Sequence, residues 1–274
     1  MIKDKNILII GGSSGIGLAL AEILSPSNSV FVASRSNENL SSLDLTHLPY
    51  DATSAELDTS VLPDELNGFV YCPGSINLRP FKGLSTEAFE KDFQINVTGA
   101  INSLKAVLSR LSASGNASVV FFSTVAVQTG MPFHSSVAAS KGALEGLTRS
   151  LAAEFAPKVR VNCIAPHVIE TDMTAEAFTE ENRLAIEAVR LQTPAKRMGH
   201  VDDVANCALY LVSDESNYVN GETIRVDGGA HTQKLPSDWD YAFLGIVRPD
   251  LGEHPRAAMP DWYQEEIDLS AEDE

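Results

Sequence analysis

Cysteine is scarce in this 274-residue sequence, which has three, Cys72, Cys163 and Cys207. They have neither the paired spacing of a disulfide framework nor histidines at metal-ligand intervals beside them. We therefore expect reduced, buried thiols and no metal site.

Long apolar runs are also missing. No stretch approaches the roughly 18 apolar residues of a membrane helix. Residues 1–5 lead into a short apolar strand without the apolar stretch of a signal peptide. The sequence therefore predicts a cytoplasmic protein that does not enter the membrane.

Basic residues are few, since 20 lysines and arginines stand against 37 acidic residues, for a net charge of −17. Such a charge repels phosphate backbones and anionic lipids, which argues against nucleic acid and membrane surfaces as partners. The excess is concentrated in residues 236–274, where 11 acidic and 2 basic residues give −9. Because aromatic residues lie among these acids, we expect a C-terminal extension that packs on the body or on a neighbouring subunit, with a disordered end; an extension without function is the alternative.

What the sequence does contain is an alternation of β-branched segments and helical patterns. The strand-like segments are 6–10, 29–33, 68–71, 118–123, 159–164 and 222–226, and apolar residues recur at helical intervals in 15–24, 89–111, 136–155 and 201–212. This alternation predicts an α/β fold with a doubly wound parallel sheet, the Rossmann fold, as a single domain over residues 1–235. In such a sheet, ligands bind beyond the carboxyl ends of the strands.

A glycine-rich turn joins the first strand to the first helix. At this position the N–H groups of the helix start can bind the pyrophosphate of a dinucleotide, and glycine permits the close approach that phosphates require. A glycine turn without a ligand is the alternative, and the strand-turn-helix setting argues against it. The predicted cofactor-binding residues here are Gly11, Ser13, Ser14, Gly15, Ile16 and Gly17.

The end of the second strand indicates which dinucleotide binds. A carboxylate at this point would hold the ribose diol of NAD, but the sequence has Ser34 followed by Arg35, whose guanidinium suits a 2′-phosphate. NADP(H) is therefore favoured, with NAD(H) as the alternative, and Arg35 as an ordinary solvated charge remains open. Asp51, at the end of the expected third strand, suits the adenine amino group or a turn with Thr53.

These features together resemble the short-chain dehydrogenase/reductase family over residues 5–230. The resemblance rests on motifs in order along the chain: the glycine turn, Asn96 in Gln94-Ile95-Asn96-Val97, Ser123-Thr124, Ala139-Ser140-Lys141-Gly142, Val161-Asn162, Pro166 with Thr171, and Val226-Asp227-Gly228-Gly229. Members reduce carbonyls or oxidise alcohols with NAD(H) or NADP(H), and most assemble as dimers or tetramers. The resemblance implies the same fold and cofactor, with Gly74, Pro166 and Thr171 beside it.

The family's chemistry uses Asn, Ser, Tyr and Lys, and the resemblance implies one departure in this chain. Asn96 matches the water-holding Asn, Thr124 the Ser, and Lys141 the Lys that lowers the tyrosine pKa. Asn96 and Lys141 are also expected at the cofactor, where Lys141 can hold ribose hydroxyls; a bond from Asn96 to helix backbone is the alternative. The tyrosine position, four residues before Lys141, is Val137, which has no proton to donate. The turn at Tyr71-Cys72-Pro73-Gly74 departs from the family pattern as well.

Two histidines lie in loops at the expected reacting end. His134 comes three residues before Val137, and His167 follows Pro166 where the family commonly has glycine. Imidazole titrates near neutrality, so either can replace the missing acid. The alternative for each is a pocket-lining histidine without a catalytic role.

Three functions follow. The first is an NADP(H)-dependent oxidoreductase for a small carbonyl or alcohol, with a non-standard proton donor. The second is a catalytically weak or inactive nucleotide-binding subunit, in a mixed oligomer with an active paralogue. The third is a non-redox enzyme that keeps the cofactor for structure. We expect a homo-tetramer or dimer.

Overall fold

Seven strands form one sheet in the computed structural model, which describes residues 2–53, 56–175 and 183–232. Along the chain they are β1 (Asn6–Ile10), β2 (Ser29–Ser34), β3 (Thr46–Pro49), β4 (Gly68–Tyr71), β5 (Ala117–Phe122), β6 (Val159–Pro166) and β7 (Thr223–Val226). Every neighbouring pair is parallel, in the order β3-β2-β1-β4-β5-β6-β7. The predicted doubly wound parallel sheet of the Rossmann type is confirmed.

Helices cover both faces of the sheet. They are α1 (Gly15–Leu24), α2 (Thr86–Phe93), α3 (Gly99–Ser114), α4 (Ala126–Thr129), α5 (Ser135–Phe155), α6 (Asp172–Ala175), α7 (Arg183–Gln192) and α8 (Val201–Val212). Alternate residues of β1 enter two core clusters, since Leu8 packs with α3 and α5 while Ile9 packs with α1 and α8. The central strands are therefore apolar on both faces, as the continuous hydrophobic segments predict.

Strand β3 is the third strand expected before Asp51, although it is not one of the β-branched segments. It reads Thr46-His47-Leu48-Pro49 and pairs with β2 from Phe31↔Thr46 to Ser34↔Pro49. A proline is tolerated here because β3 lies at the edge of the sheet, where it has one neighbouring strand. Pairing with β2, rather than local propensity, makes this segment a strand.

The helix predicted over residues 89–111 is interrupted. Residues Gln94–Thr98 form a π-helical turn between α2 and α3, in which the Gly99 N–H donates to the Gln94 carbonyl five residues earlier. Asn96 lies in the middle of this turn and is completely buried. Single π turns of this kind recur at functional sites, and apolar periodicity alone does not reveal them.

No helix within residues 2–53, 56–175 and 183–232 is both long enough and apolar enough to cross a membrane. Nor do three or more histidine, cysteine or acidic side chains gather there as they would around a metal ion. The cysteines form no disulfide, and Cys163 is buried. The predicted C-terminal extension, residues 236–274, lies outside the described residues.

A buried arginine on β6 binds the last turn of α8 and the segment that follows it. The Arg160 guanidinium donates to Ser216 Oγ (2.9 Å) and to the carbonyls of Val219 (3.3 Å), Leu211 and Ser213 (both 3.2 Å). Arg160→Ala removes four hydrogen bonds from a charged donor in the interior, although the three carbonyls keep their bonds from Ser118, Ser216 and Asn162. We expect the free energy of unfolding to fall by about 3 kcal/mol, measured by urea denaturation.

The matched control is Arg149→Ala, because Arg149 is exposed on α5. Its urea midpoint should stay within experimental error of the wild type. Equal midpoints for the two variants would show that the Arg160 contacts do not stabilise the fold.

Candidate active site

A cleft of about 660 Å³ opens beyond the carboxyl ends of the central strands. Its size is that of a small-molecule or cofactor site. The sequence-predicted residues converge on it, with Asn96 as the exception, buried behind the cleft wall. Those that line the cleft are Gly11, Ser13, Ser14, Gly15, Ile16, Gly17, Ser34, Arg35, Asp51, Gly74, Thr124, His134, Lys141, Pro166, His167 and Thr171.

The glycine turn has the geometry of an anion-binding helix start. A Cβ placed on Gly17 would lie 2.4 Å from the Gly11 carbonyl oxygen, and Gly11 has a φ of +76°, so both positions require glycine. Ser14 precedes α1 with an extended backbone, and its side chain makes no capping hydrogen bond. The first turn of α1 contains no acidic residue. The N–H groups of this helix start are therefore available to a phosphate.

The end of β2 forms a second polar corner of the cleft. Ser34 is buried, and its Oγ donates to the Ser36 carbonyl (2.8 Å) and lies 3.0 Å from His47 Nε2. Arg35 is exposed and lines the cleft. Asn39 Nδ2 donates to the Ser13 carbonyl (3.1 Å), which ties this loop to the glycine turn. Asn39 belongs to no motif, and sequence reasoning missed it.

Asp51 fits both interpretations of its sequence. Its Oδ1 accepts from the Thr53 N–H (2.9 Å) and the Thr53 hydroxyl (2.7 Å), which is the turn that Asp51-Ala52-Thr53 suggests. The residue also lines the cleft. The turn holds the carboxylate at the cleft wall.

Helix α5 brings Val137 and Lys141 to the same wall. They are four residues apart, so they share one face of the helix, and both are buried at the lining. Burial lowers the pKa of Lys141 to about 8, although Cys163, Cys72 and Asp92 act in the opposite direction. Thr124 follows β5 at the same end, and its Oγ1 accepts from the Ala126 N–H (3.3 Å), a bond that does not use the hydroxyl hydrogen.

Asn96 is held close to Lys141 by the π turn. Its Nδ2 donates to Ser140 Oγ (2.9 Å) on α5. A Cβ placed on Gly74 would lie 3.2 Å from both Asn96 Oδ1 and Lys141 Nζ. The amide and the ammonium therefore flank one small space that Gly74 leaves open.

The two histidines also lie in this cleft. His134 immediately precedes α5, and its Nδ1 lies 2.7 Å from the Pro132 carbonyl. Burial lowers its pKa, and that carbonyl raises it to a lesser extent. Burial also lowers the pKa of His167, which Asp227 raises and His134 lowers further. Both rings line the same cleft.

The remaining lining near the histidines is mostly apolar, as in sites that bind small organic molecules. It consists of Ile76, Leu78, Met131, Val137, Val168 and Met173. Sequence reasoning also missed a polar pair beside it, because Ser75 Oγ donates to Asp92 Oδ1 at 2.6 Å. The available signal was the four-residue spacing between Asp92 and Asn96, which puts the carboxylate close to a predicted site residue.

Known proteins match the chain over most of its length. Residues 11–231 match the family model described as enoyl-(acyl carrier protein) reductase. Dehydrogenase/reductase SDR family member 4 of Mus musculus is 31% identical, over 83% of this chain and 88% of its own. The tropinone reductase homolog of Datura stramonium is 30% identical, over 83% of this chain and 92% of its own.

Solved structures show the same fold. A short-chain type dehydrogenase/reductase from Mycobacterium ulcerans superimposes with a TM-score of 0.80 at 27% identity, covering 94% of this chain and 99% of that one. ElxO with NADP bound superimposes with a TM-score of 0.76 at 25% identity, covering 84% of this chain and 100% of that one.

The histidine environments predict a titration. We expect His134 and His167 to titrate below the usual 6.5 of histidine, because burial disfavours the imidazolium. Since the unfolded chain then binds more protons, the free energy of unfolding falls as the pH drops through about 6.5 towards the native pKa values. NMR of the imidazole protons, assigned with His134→Asn and His167→Asn, measures both pKa values. Values at or above 6.5 would contradict the burial of the rings.

Proposed function

The chain belongs to the short-chain dehydrogenase/reductase family, and on that premise we propose that it is an NADP(H)-preferring oxidoreductase that interconverts a small carbonyl compound and its alcohol with a proton donor other than tyrosine. NAD(H) is the alternative cofactor. The observation that carries the proposal is one cleft that joins the glycine turn to Thr124, Lys141 and two histidines. When bound, the nicotinamide supplies or accepts the hydride.

The residues present fit such a cofactor. The open start of α1 suits the pyrophosphate, and the glycine at position 17 leaves room that a Cβ would fill. Arg35 suits a 2′-phosphate at the corner where Ser34 stands in place of a carboxylate. ElxO, whose solved structure contains NADP, supports the same preference. Asp51 suits the adenine amino group, Lys141 suits the ribose hydroxyls, and Gly74, Pro166 and Thr171 border the reacting end.

Val137 leaves this site without the family's phenol. It lies one helical turn before Lys141 and lines the cleft, and the four-residue spacing to Lys141 supports its match to the family's tyrosine. An isopropyl group neither donates nor accepts a proton. Thr124 retains a hydroxyl that can donate a hydrogen bond to the substrate oxygen, so the site keeps a group that orients the carbonyl.

His134 is the better placed of the two candidate proton donors. A carbonyl oxygen accepts only, so the 2.7 Å contact with Pro132 places the hydrogen of the neutral ring on Nδ1. Nε2 is then the nitrogen that exchanges a proton with a ligand. Because its pKa is lowered, His134 is neutral at neutral pH and acts there as a base for alcohol oxidation. Protonation at lower pH makes it the acid for carbonyl reduction.

His167 is the second candidate donor. It lines the same cleft directly after β6, and Asp227 favours its charged form. No side-chain hydrogen bond that orients its ring is found among the described residues, whereas His134 has one. We therefore assign proton transfer to His134 first.

Val137 also favours a second function. Without a phenol, the chain can serve as a weakly active or inactive nucleotide-binding subunit. Pro73 in the altered turn packs on the glycine turn, with its Cδ 3.0 Å from a Cβ placed on Gly11. Assembly as a homo-tetramer or dimer, or as a mixed oligomer with an active paralogue, stays a prediction.

Cofactor preference tests the first part of the proposal. We expect NADPH to bind more tightly than NADH and Arg35→Ala to weaken NADPH binding by about tenfold to a hundredfold, the worth of a charge-assisted hydrogen bond. Fluorescence titration of both cofactors measures the affinities. Arg149→Ala, which removes an exposed arginine from α5, should change neither. An unchanged NADPH affinity in Arg35→Ala would remove Arg35 from the cofactor site.

Restoring the phenol tests the second part. We expect slow ketone reduction by the wild type and a gain in kcat/KM of about a hundredfold to ten-thousandfold in Val137→Tyr, the contribution of a positioned general acid. Lys141 lies one turn away and can lower the pKa of the new phenol. Tyr71 is buried, donates to the Ile95 carbonyl and is not part of the cleft lining, whereas His167 lines the same cleft as Val137, so the stability of the variant is measured first. Steady-state rates with NADPH on a ketone panel measure the gain.

The control is Val137→Phe, which adds the ring without the hydroxyl. A stable Val137→Tyr that binds NADPH but reduces no ketone faster than Val137→Phe would rule out a reductase site that lacks one group. Fast wild-type turnover that survives both His134→Ala and His167→Ala would rule out the histidines as donors.

A further inference from the structure

A carboxylate is buried beside the active site without a full set of hydrogen bonds. Asp92, in the last turn of α2, is 3% exposed. Its Oδ1 accepts from Ser75 Oγ (2.6 Å), while Oδ2 has no hydrogen-bond partner among the described residues. A buried carboxylate costs several kcal/mol of desolvation unless an opposite charge compensates it. The position of Asp92 therefore calls for a nearby cation.

Ser75 and Gly74 connect this carboxylate to Lys141. Ser75 lines the cleft, and Asn96 Nδ2 lies 3.5 Å from its hydroxyl. Gly74 precedes Ser75, and a Cβ placed on it would lie 3.2 Å from both Lys141 Nζ and Asn96 Oδ1. Asn96 Oδ1 also has no hydrogen-bond partner in the described part of the chain. The carboxylate, the amide and the ammonium therefore surround one two-residue segment.

The other ionisable groups that face Lys141 do not supply a negative charge. Two of them are Cys163, on β6, and Cys72, after β4, and burial raises the pKa of each thiol to about 12. Both are therefore neutral at physiological pH. Asp92, on α2, is the third group that acts on Lys141.

Two further sets of titratable groups lie on neighbouring elements. Glu145, one turn further along α5 and outside the cleft lining, accepts from Ser123 Oγ (2.7 Å) and Gln128 Nε2 (3.4 Å), and it is not among the groups that act on Lys141. His134 and His167 line the cleft and are neutral at neutral pH, since burial lowers the pKa of both. Neither set supplies Lys141 with an unengaged anion.

We propose that Asp92, oriented by Ser75, is the counter-ion of Lys141 and keeps its ammonium charged and directed at the cleft in a site that contains valine in place of tyrosine. Asp92 is thus a positioning residue, because it acts through Lys141. The inference extends the proposed function, in which Lys141 contacts the cofactor, and assigns the site an anion on α2.

The test is the titration of Lys141 in the full-length protein without cofactor. NMR of lysine labelled with ¹³C at Cε, with Lys141→Met for assignment, follows the ammonium between pH 6 and 10. We expect the wild-type midpoint near the lowered value of about 8. Removal of an opposite charge in Asp92→Asn should lower the midpoint by about one pH unit or more.

Two variants separate charge from structure. Glu90→Gln removes an exposed acid from the same helix and should leave the midpoint unchanged. Asp92→Glu keeps the charge and should retain most of the wild-type value. A midpoint in Asp92→Asn equal to that of the wild type would overturn the proposal.

If Asp92→Asn does not fold, the double variant Asp92→Asn/Lys141→Met decides. The single variant leaves the buried ammonium of Lys141 without an opposite charge, whereas the double variant removes both charges. The double variant should therefore fold where the single variant fails. Failure of the double variant as well would overturn the proposal. Because these measurements use no cofactor, a protein that does not bind NADPH would contradict the proposed function without affecting this result.

Discussion

The parallel pairing of β1 with β2 on one side and β4 on the other is the constraint on which the site depends. Their carboxyl ends lie side by side, so the segments that follow them meet although they are far apart in sequence. The glycine turn follows β1, Arg35 follows β2, and Gly74 comes shortly after β4. The cleft exists because the chain turns to opposite faces of the sheet on either side of β1.

Burial of Lys141 sets the electrostatics of the reacting end. A lysine enclosed by protein loses hydration, which lowers its pKa to about 8 and makes its charge dependent on neighbouring groups. The same burial keeps the neighbouring thiols neutral and the histidines weakly basic. The charge state of Lys141 therefore depends on the few charged groups buried around it. In such a poorly hydrated site, one carboxylate shifts the pKa of a lysine more than it would in solvent.

Local sequence patterns predicted much of the site, and the exceptions have physical causes. The glycine turn and Arg35 were predictable as cleft-lining residues because each directly follows a strand of the sheet. His134 was expected in a loop three residues before Val137, and the structure has it just before the start of α5. The π turn was not predictable from the apolar pattern of residues 89–111, because one extra residue scarcely alters that pattern. The pair of Ser75 and Asp92 joins residues 17 positions apart, and no local motif records such a contact.

The sequence by itself determined the parallel α/β class, the helix start that suits a phosphate, and the residue types beside it, because periodicity and turn chemistry act over a few neighbouring residues. Only the tertiary structure decided that Thr46–Pro49 lies at the edge of the sheet, that Asn96 is buried in a π turn, and that Asp92 binds Ser75, next to the glycine that faces Lys141. These features depend on strand pairing and on burial, in which distant parts of the chain come together and exclude water. Charges buried in this way interact far more strongly than they do in solvent.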